Sequence, residues 1–478
     1  MPQIYYVFRI IFYHRCFYFI MIAIKKPSSR YQIDMCSGPL LHKIIMFSIP
    51  LIFAGLLQLL FNTVDLIVIG RFASYQALAA VGATTSLTHL LICICLGISI
   101  GTNVLVARYI GAKQRTDVSR SVHTAIAFSV IAGVVAGVIG IIAARPVLVL
   151  MNTPEEIIDM SVLYMRLIFS GMPVQMLYNF GSAVLRAAGD TKRPFYFLVF
   201  GGVINVLLNL FFVLVCKWDV GGVAVATVIS QAVAALLVLR VLINSRDICR
   251  IKYGCLKIHW SYLREMLWIG VPTGFQTACF SFANLWIQTE LNAFGPEALA
   301  GSTASVTWEA IVFLFSTAIG QAGVSFVSQN YGGKQYTRIR RTLKYCTLLA
   351  VIFTVAADIL FIMLAKDVLG LFNQDPDVIA WGIRRFRVIL PFQFLCSFQE
   401  IVVSALRGLG HVMVPTIVMI FSICILRLIW VLTIYQMNKS FEMLLATYPL
   451  SWLCATVLNS LYLWFIMKKL PRKDQITG

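Results

Sequence analysis

Twelve apolar runs, each long enough to cross a lipid bilayer, follow one another down this sequence. They fall at about 44–69, 84–107, 121–144, 161–185, 194–216 and 220–243, where roughly 20 residues suffice for a spanning helix. Six more fall at about 264–289, 299–327, 342–365, 380–405, 412–436 and 443–467. The runs are too long for the ~10-residue alternating strands of a membrane barrel. The fold class is therefore an all-α polytopic membrane protein with twelve transmembrane helices. Composition agrees: 59% of the chain is hydrophobic and 12% charged, against about 45–50% and about 25% in soluble domains. The segments between the runs leave no room for a sizeable soluble domain.

Lys and Arg number 39 against 20 Asp and Glu, a formal charge of +19. In a soluble chain that excess would point to nucleic acid. Here the basic residues form short blocks between apolar runs, so the partners they imply are anionic lipids, with no nucleic acid. Blocks at Arg108 to Arg120, Arg186 to Arg193, Arg240 to Arg264 and Lys334 to Lys344 fall on one side, together with both tails. The opposite loops carry Glu155, Glu156, Asp159, Asp219, Glu297, Asp375 and Asp377. The basic side is the cytoplasmic one, which places both termini in the cytoplasm of a multi-pass plasma-membrane protein.

The expected layout is an N-lobe over 36–245, a cytoplasmic linker over 246–260, a C-lobe over 261–468 and a cytoplasmic tail over 469–478. Residues 1–35 form an N-terminal extension, aromatic and basic and without a small-residue cleavage site; it reads as an over-long frame whose start lies near Met35. The twelve cysteines are scattered through apolar segments with no C-x-x-C pair, which suits small apolar helix residues better than metal ligands or disulfides.

The sequence also repeats. A shift of 222 carries Pro50 onto Pro272, Asn62 onto Asn284 and Phe72 onto Phe294. A shift of 221 carries Gly111, Lys113 and Gln114 onto Gly332, Lys334 and Gln335, and Leu185, Arg186, Gly189 and Pro194 onto Leu406, Arg407, Gly410 and Pro415. Six spans map onto six, so the halves share one orientation. Parallel repeats of this kind mark a carrier.

Motifs for other chemistry fail on context. Gly97-Ile98-Ser99-Ile100-Gly101 matches a serine nucleophile elbow, which needs a strand-to-helix turn, yet it lies inside an apolar run. Glycines four apart, as at Gly133 and Gly137, instead let two membrane helices approach closely. There is no phosphate loop and no H-E-x-x-H pattern. No enzymatic activity and no cofactor are expected.

Ionisable residues inside the spans carry the functional signal, because a charge at mid-bilayer costs about 2.5–3.5 kcal/mol on insertion scales. Asp65 is the clearest, sharing a helical stripe with Gln58 and Asn62. Asn205 and Asn209 lie one turn apart in the fifth span, and Thr227 lies in the sixth with Ser230 and Gln231. Asp65, Gln58, Asn205, Asn209 and Thr227 form the candidate ion-coupling set: one carboxylate and several neutral oxygens, able to take a proton or a sodium ion. Apart from that one sodium candidate, no metal site is indicated. Taken alone, Asn and Thr in membrane helices serve as packing glue. Asn62, Asn179, Glu309 and Glu400 are candidates for lining a substrate cavity, Glu309 following Trp308 near the outer part of the eighth span. Asp358 has no polar company in its run, and Arg427 is expected to pair with an acid.

These residues together give the chain its resemblance to the multidrug and toxic compound extrusion (MATE) family. The resemblance rests on Pro50 and Gln58 to Gly70, Val106 to Lys113, Leu185 to Thr191, Ile204 to Asn209, Ala226 to Gln231 and Ser328 to Gly332, and covers residue 36 to the end. It implies two pseudo-symmetric six-helix lobes around a central V-shaped cavity. It also implies a secondary active multidrug efflux antiporter, working as a monomer, that exports cationic amphipathic drugs or toxins in exchange for H+ or Na+. The coupling acid of the family matches Asp65, and its fifth-helix Asn and sixth-helix Thr match Asn205 and Thr227. The position commonly occupied by Asp one turn after that Asn is Asn209 here, which removes one of two carboxylates and puts sodium coupling through this lobe in doubt. The rival reading is a flippase or exporter of a lipid-linked or polyanionic substrate, which would want a basic cavity.

Overall fold

The structure, a computed structural model, describes residues 31–245 and 247–471, so most of the N-terminal extension and the end of the tail lie outside the described residues. Every regular element among the described residues is a helix. Two compact units emerge among the described residues: Phe53–Met266 with the chain from Tyr31 through Asp34, and the chain from Leu267 onward with Met35–Ile52.

The first unit contains most of α1 (Leu40–Phe72), then α2 (Tyr75–Gly111), α3 (Arg115–Leu150), α4 (Glu155–Ser170), α5 (Met172–Ala187), α6 (Lys192–Leu210) and α7 (Asp219–Asn244). Local chemistry sets their ends. Ser74 accepts a hydrogen bond from Ala77 N at the start of α2, satisfying one of the amides a helix N-terminus leaves free. Pro154 precedes α4 and Glu155 and Glu156 occupy its first turn, where the helix dipole favours acids. The break at Gly171, followed by Pro173 in the first turn of α5, bends this pair by 44°. A Cβ at Gly133 would lie 2.5 Å from Pro173 Cα, and one at Gly137 would lie 2.8 Å from Phe169 O. The four-residue glycine spacing therefore serves close helix approach, as expected.

The second unit continues from α8 (Trp260–Leu291) through α9 (Pro296–Gly332), α10 (Tyr336–Met363), α11 (Ala365–Gly370), α12 (Pro376–Leu409) and α13 (Met413–Met419). It ends with α14 (Leu426–Leu432), α15 (Ile434–Met437), α16 (Phe441–Leu445) and α17 (Thr447–Lys469). Its chain start is clamped by two side chains. Arg338 donates to Met35 O at 2.9 Å, Gly38 O at 3.1 Å and Ser37 O at 2.6 Å, and Asn330 Nδ2 also donates to Met35 O at 3.2 Å.

The internal repeat is visible in the backbone. Lys113 and Lys334 both take positive φ, at 59° and 54°, and Gly189 and Gly410 do so at 91° and 87°. Each pair is separated by 221 positions. A π-helical turn, Phe211–Val215, follows α6, and another, Ile420–Ile425, joins α13 to α14.

Ten helices among the described residues are long and apolar enough to cross a membrane, and the bent pair α4–α5 makes up to eleven. α8 is 32 residues long but carries Gln276, Asn284 and Gln288 along its length.

Candidate functional site

In the first unit the polar site is assembled by glycine. α6 carries Gly201 and Gly202 side by side, both buried. A Cβ on Gly201 would stand 3.1 Å from Ser230 O of α7, and a Cβ on Gly202 would fall 1.8 Å from Cε2 of Phe61 in α1. The two bare positions let α6 take α7 on one flank and the Phe61 ring on the other. One turn further along α1 comes Asp65, and further along α6 come Asn205 and Asn209.

The side chains then link in series. Asn209 Nδ2 donates a short hydrogen bond to Asp65 Oδ1 and lies 3.3 Å from Asn205 Oδ1. Asn205 Nδ2 donates to Thr227 Oγ1 at 3.2 Å, and Thr227 Oγ1 donates to Val223 O at 3.0 Å. Asn205 and Asn209 are buried and Asp65 is half-buried. Beside the chain, Val68 and Ile69 of α1 pack with Val213, Val220 and Val223. Buried Asn209 Oδ1 has no hydrogen-bond partner among the described residues. A carboxylate with neutral oxygens at its side can hold a proton or a monovalent cation without a fixed countercharge.

Four of the five proposed ion-coupling residues are thus brought together, and Gln58 is not: it is exposed on α1, as is Asn62. Asn179 is buried with its Nδ2 unpartnered.

Two acids of the second unit are already engaged. Glu309 receives both a 2.8 Å and a 2.9 Å hydrogen bond from Arg385, and its backbone oxygen accepts from Gln393 at 2.9 Å. Glu400 pairs with Arg407 at 3.6 Å and accepts from Ser404 at 3.3 Å, while Arg407 also donates to Gln276 at 3.2 Å. Asp358 is buried with Oδ1 unpartnered.

Arg427 corrects an expectation. None of the ion pairs among the described residues includes it. Its Nε donates to Ser451 Oγ and its Nη1 to Asn284 Oδ1, each at 2.9 Å, and its guanidinium lies 4.4 Å from the Tyr448 ring centre. The acid expected beside it is replaced by neutral groups from α8 and α17. Sequence reasoning missed this cluster, although the match of Asn62 with Asn284 was a signal for half of it.

The family model described as MatE matches this chain twice, over residues 50–211 and 272–432. Among curated relatives, the chain is 30% identical over 386 residues to the probable multidrug resistance protein YoeA of Bacillus subtilis (strain 168), covering 79% of this chain and 83% of that one. It is 24% identical to a protein of Shewanella oneidensis named FAD transporter, covering 73% and 77% of the two chains. Among solved structures it resembles the outward-facing conformation of a multidrug resistance MATE family transporter of the MOP superfamily. There the TM-score is 0.85 at 21% identity, over 92% of this chain and 98% of the other.

Proposed function

The chain belongs to the MatE family, and on that premise we propose that it is a secondary antiporter of the plasma membrane, exporting cationic amphipathic compounds in exchange for inward H+ or Na+. On this reading α8 serves as a twelfth span and both termini are cytoplasmic. The hydrogen-bonded chain from Asp65 through Asn209 and Asn205 to Thr227 carries the proposal. Two other acids of the membrane helices, Glu309 and Glu400, are neutralised by Arg385 and Arg407 and have no need of a mobile cation. None of the ion pairs among the described residues includes Asp65. Its charge is met by the Asn209 amide, which orients the carboxylate without cancelling it. Asp358 is also outside the ion pairs among the described residues, but its Oδ1 has no hydrogen bond to orient it.

Coupling then follows from differential binding. An ion held at Asp65 favours one conformation and the exported compound favours the other, so each ligand shifts the population against its competitor. Loading neutralises a carboxylate inside the bilayer, and release restores a charge attended, among the described residues, by the Asn209 amide. The substitution of Asn for a second acid at position 209 halves the local negative charge, which favours a proton or a weakly held sodium ion over a divalent one.

The test is ethidium export from proteoliposomes under a pH gradient and a sodium gradient applied separately. Wild type should respond to one gradient, and Asp65→Asn should lose that response. Continued uphill export by Asp65→Asn would remove Asp65 from the coupling role.

A second reading is export of compounds bearing anionic groups. It is favoured by the unpaired Arg427 and by the relative named FAD transporter.

A further inference from the structure

The repeat that relates the two halves carries one polar site onto another of opposite sign. In the first unit the elements are Asp65 on α1, Asn205 and Asn209 on α6, and Thr227 on α7. The shift of 222 takes Asn62 of α1 to Asn284 of α8, and the shift of 221 takes Thr227 and Ser230 of α7 to Tyr448 and Ser451 of α17. Local bonding repeats as well. Ser230 Oγ donates to Thr227 O at 2.8 Å, and Ser451 Oγ donates to Tyr448 O at 2.8 Å. A π turn adjoins each site, just after Asn209 and just before Arg427; such turns recur at functional positions in helices.

The charge is what changes. The position equivalent to Asp65 is Ile287, and the helix equivalent to α6 supplies Arg427 instead. Arg427 is 2% exposed. It has two neutral acceptors, the face of Tyr448 at 4.4 Å and the ring of Phe280 at 5.9 Å, and its Nη2 has no partner. The same Tyr448 ring lies 5.5 Å from Arg385, whose charge Glu309 already satisfies. A buried charge is stable when paired and hydrogen-bonded, and the ring and two neutral oxygens meet only part of that need. Asn284 and Tyr448 are half-buried and Nη2 is covered, so a ligand would have to displace one of these two side chains to meet the guanidinium.

We propose that Arg427, with Asn284, Ser451 and Tyr448, receives one anionic group, a carboxylate or a phosphate, on the transported compound. This rests on the export reading and adds to its substrate class compounds that carry an anionic group beside the cationic one. Arg suits this role because its planar fork binds carboxylate or phosphate through two parallel hydrogen bonds.

The test compares two dyes that differ at one group: rhodamine 110, with a free carboxylate, and rhodamine 123, its methyl ester. Fluorescence polarisation on the detergent-solubilised full chain measures both at equilibrium, without a gradient. Wild type should bind the acid about tenfold more tightly than the ester, the order of one charge-assisted pair. Arg427→Gln should bring the ratio to one with ester binding kept. Because that variant can fail to fold, Asn284→Asp is the second probe. It sets a carboxylate beside Nη1 in place of the amide and should raise the melting temperature while erasing the acid preference. Equal wild-type affinity for acid and ester, or a ratio unchanged in a folded Asn284→Asp protein, overturns the proposal.

Repeating the measurement in nanodiscs of phosphatidylcholine with and without phosphatidylglycerol identifies the source of the anion. Displacement of the acid by the anionic lipid assigns the site to a headgroup, and retention assigns it to a soluble substrate. Acid preference with no gradient-driven ethidium export would overturn the antiport reading alone. Export with equal acid and ester affinity would overturn this inference alone.

Discussion

Replacing Gly202 by alanine tests whether the approach of Phe61 to α6 builds the Asp65 site. The added Cβ would sit 1.8 Å from Cε2, 2.0 Å from Cζ and 2.5 Å from Cδ2 of that ring. Ordinary carbon contact is about 4 Å, so the ring must retreat by roughly 2 Å. Overpacking of this kind costs about 1–3 kcal/mol, and the gain in helix propensity from Gly to Ala returns about 1 kcal/mol. The net loss of stability is therefore small, about 0–2 kcal/mol. The functional loss should be larger. Phe61 precedes Asp65 by one turn, and a shift of that size breaks the Asn209–Asp65 hydrogen bond, a charged contact worth about 1.5–3 kcal/mol. Gradient-driven ethidium export should fall by about tenfold or more. Gly221→Ala is the control, since a Cβ there meets only Leu163 and Leu167 at 3.8 Å and should leave export unchanged. Phe61→Leu combined with Gly202→Ala should restore export by vacating the space. Wild-type export from Gly202→Ala, or no recovery in a folded double variant, would refute the reasoning.

The Arg385–Glu309 pair should behave as a buried ion pair. Glu309→Gln should lower thermal stability by about 3–5 kcal/mol through the charge left behind, and Glu309→Met with Arg385→Met should recover most of it, both read by melting in detergent. Asp190 lies in the turn between α5 and α6, where its Oδ1 accepts from Arg193 N at 3.0 Å and its carboxylate pairs with Arg193 Nε at 3.3 Å. Burial raises its pKa from 3.8 to about 6, with Arg193 pulling the other way. Because the folded protein holds that proton more tightly, this contribution to stability is full below pH about 4 and is lost as pH rises through about 6. Wild type should lose melting temperature across that window relative to Asp190→Asn, and parallel pH curves would contradict it.

The helices were legible because hydropathy and backbone hydrogen bonding agree inside a bilayer. They disagree at the ends. The run expected at about 121–144 is observed as Arg115–Leu150, because its first turns carry Arg115, Asp117 and Arg120, which apolarity excludes and the helix accepts. The Asp65 set was readable because helical periodicity puts Asn205 and Asn209 on one face. Gln58 failed to join it for the same geometric reason: seven residues from Asp65 is about 10.5 Å along the axis, beyond hydrogen-bond reach. The partners of Glu309 and Arg427 were not readable. Arg385 stands 76 residues from Glu309, and Asn284 stands 143 from Arg427, so each pairing is decided by tertiary packing and leaves no local pattern. The π turns beside Asn209 and Arg427 leave none either.

The Arg338 clamp on Met35, Ser37 and Gly38 has a consequence for the order of synthesis. Those partners are 300 to 303 residues apart. At translation rates of ~5–20 residues per second, the carbonyls leave the ribosome roughly 15–60 s before their guanidinium exists. The body of the first unit, Phe53–Met266, is one uninterrupted stretch and is complete before Leu267 is made. Among the described residues, the second unit is built from the earliest and the latest helical segments. Its first residues must therefore wait, hydrated and unclasped, while a whole unit is inserted after them.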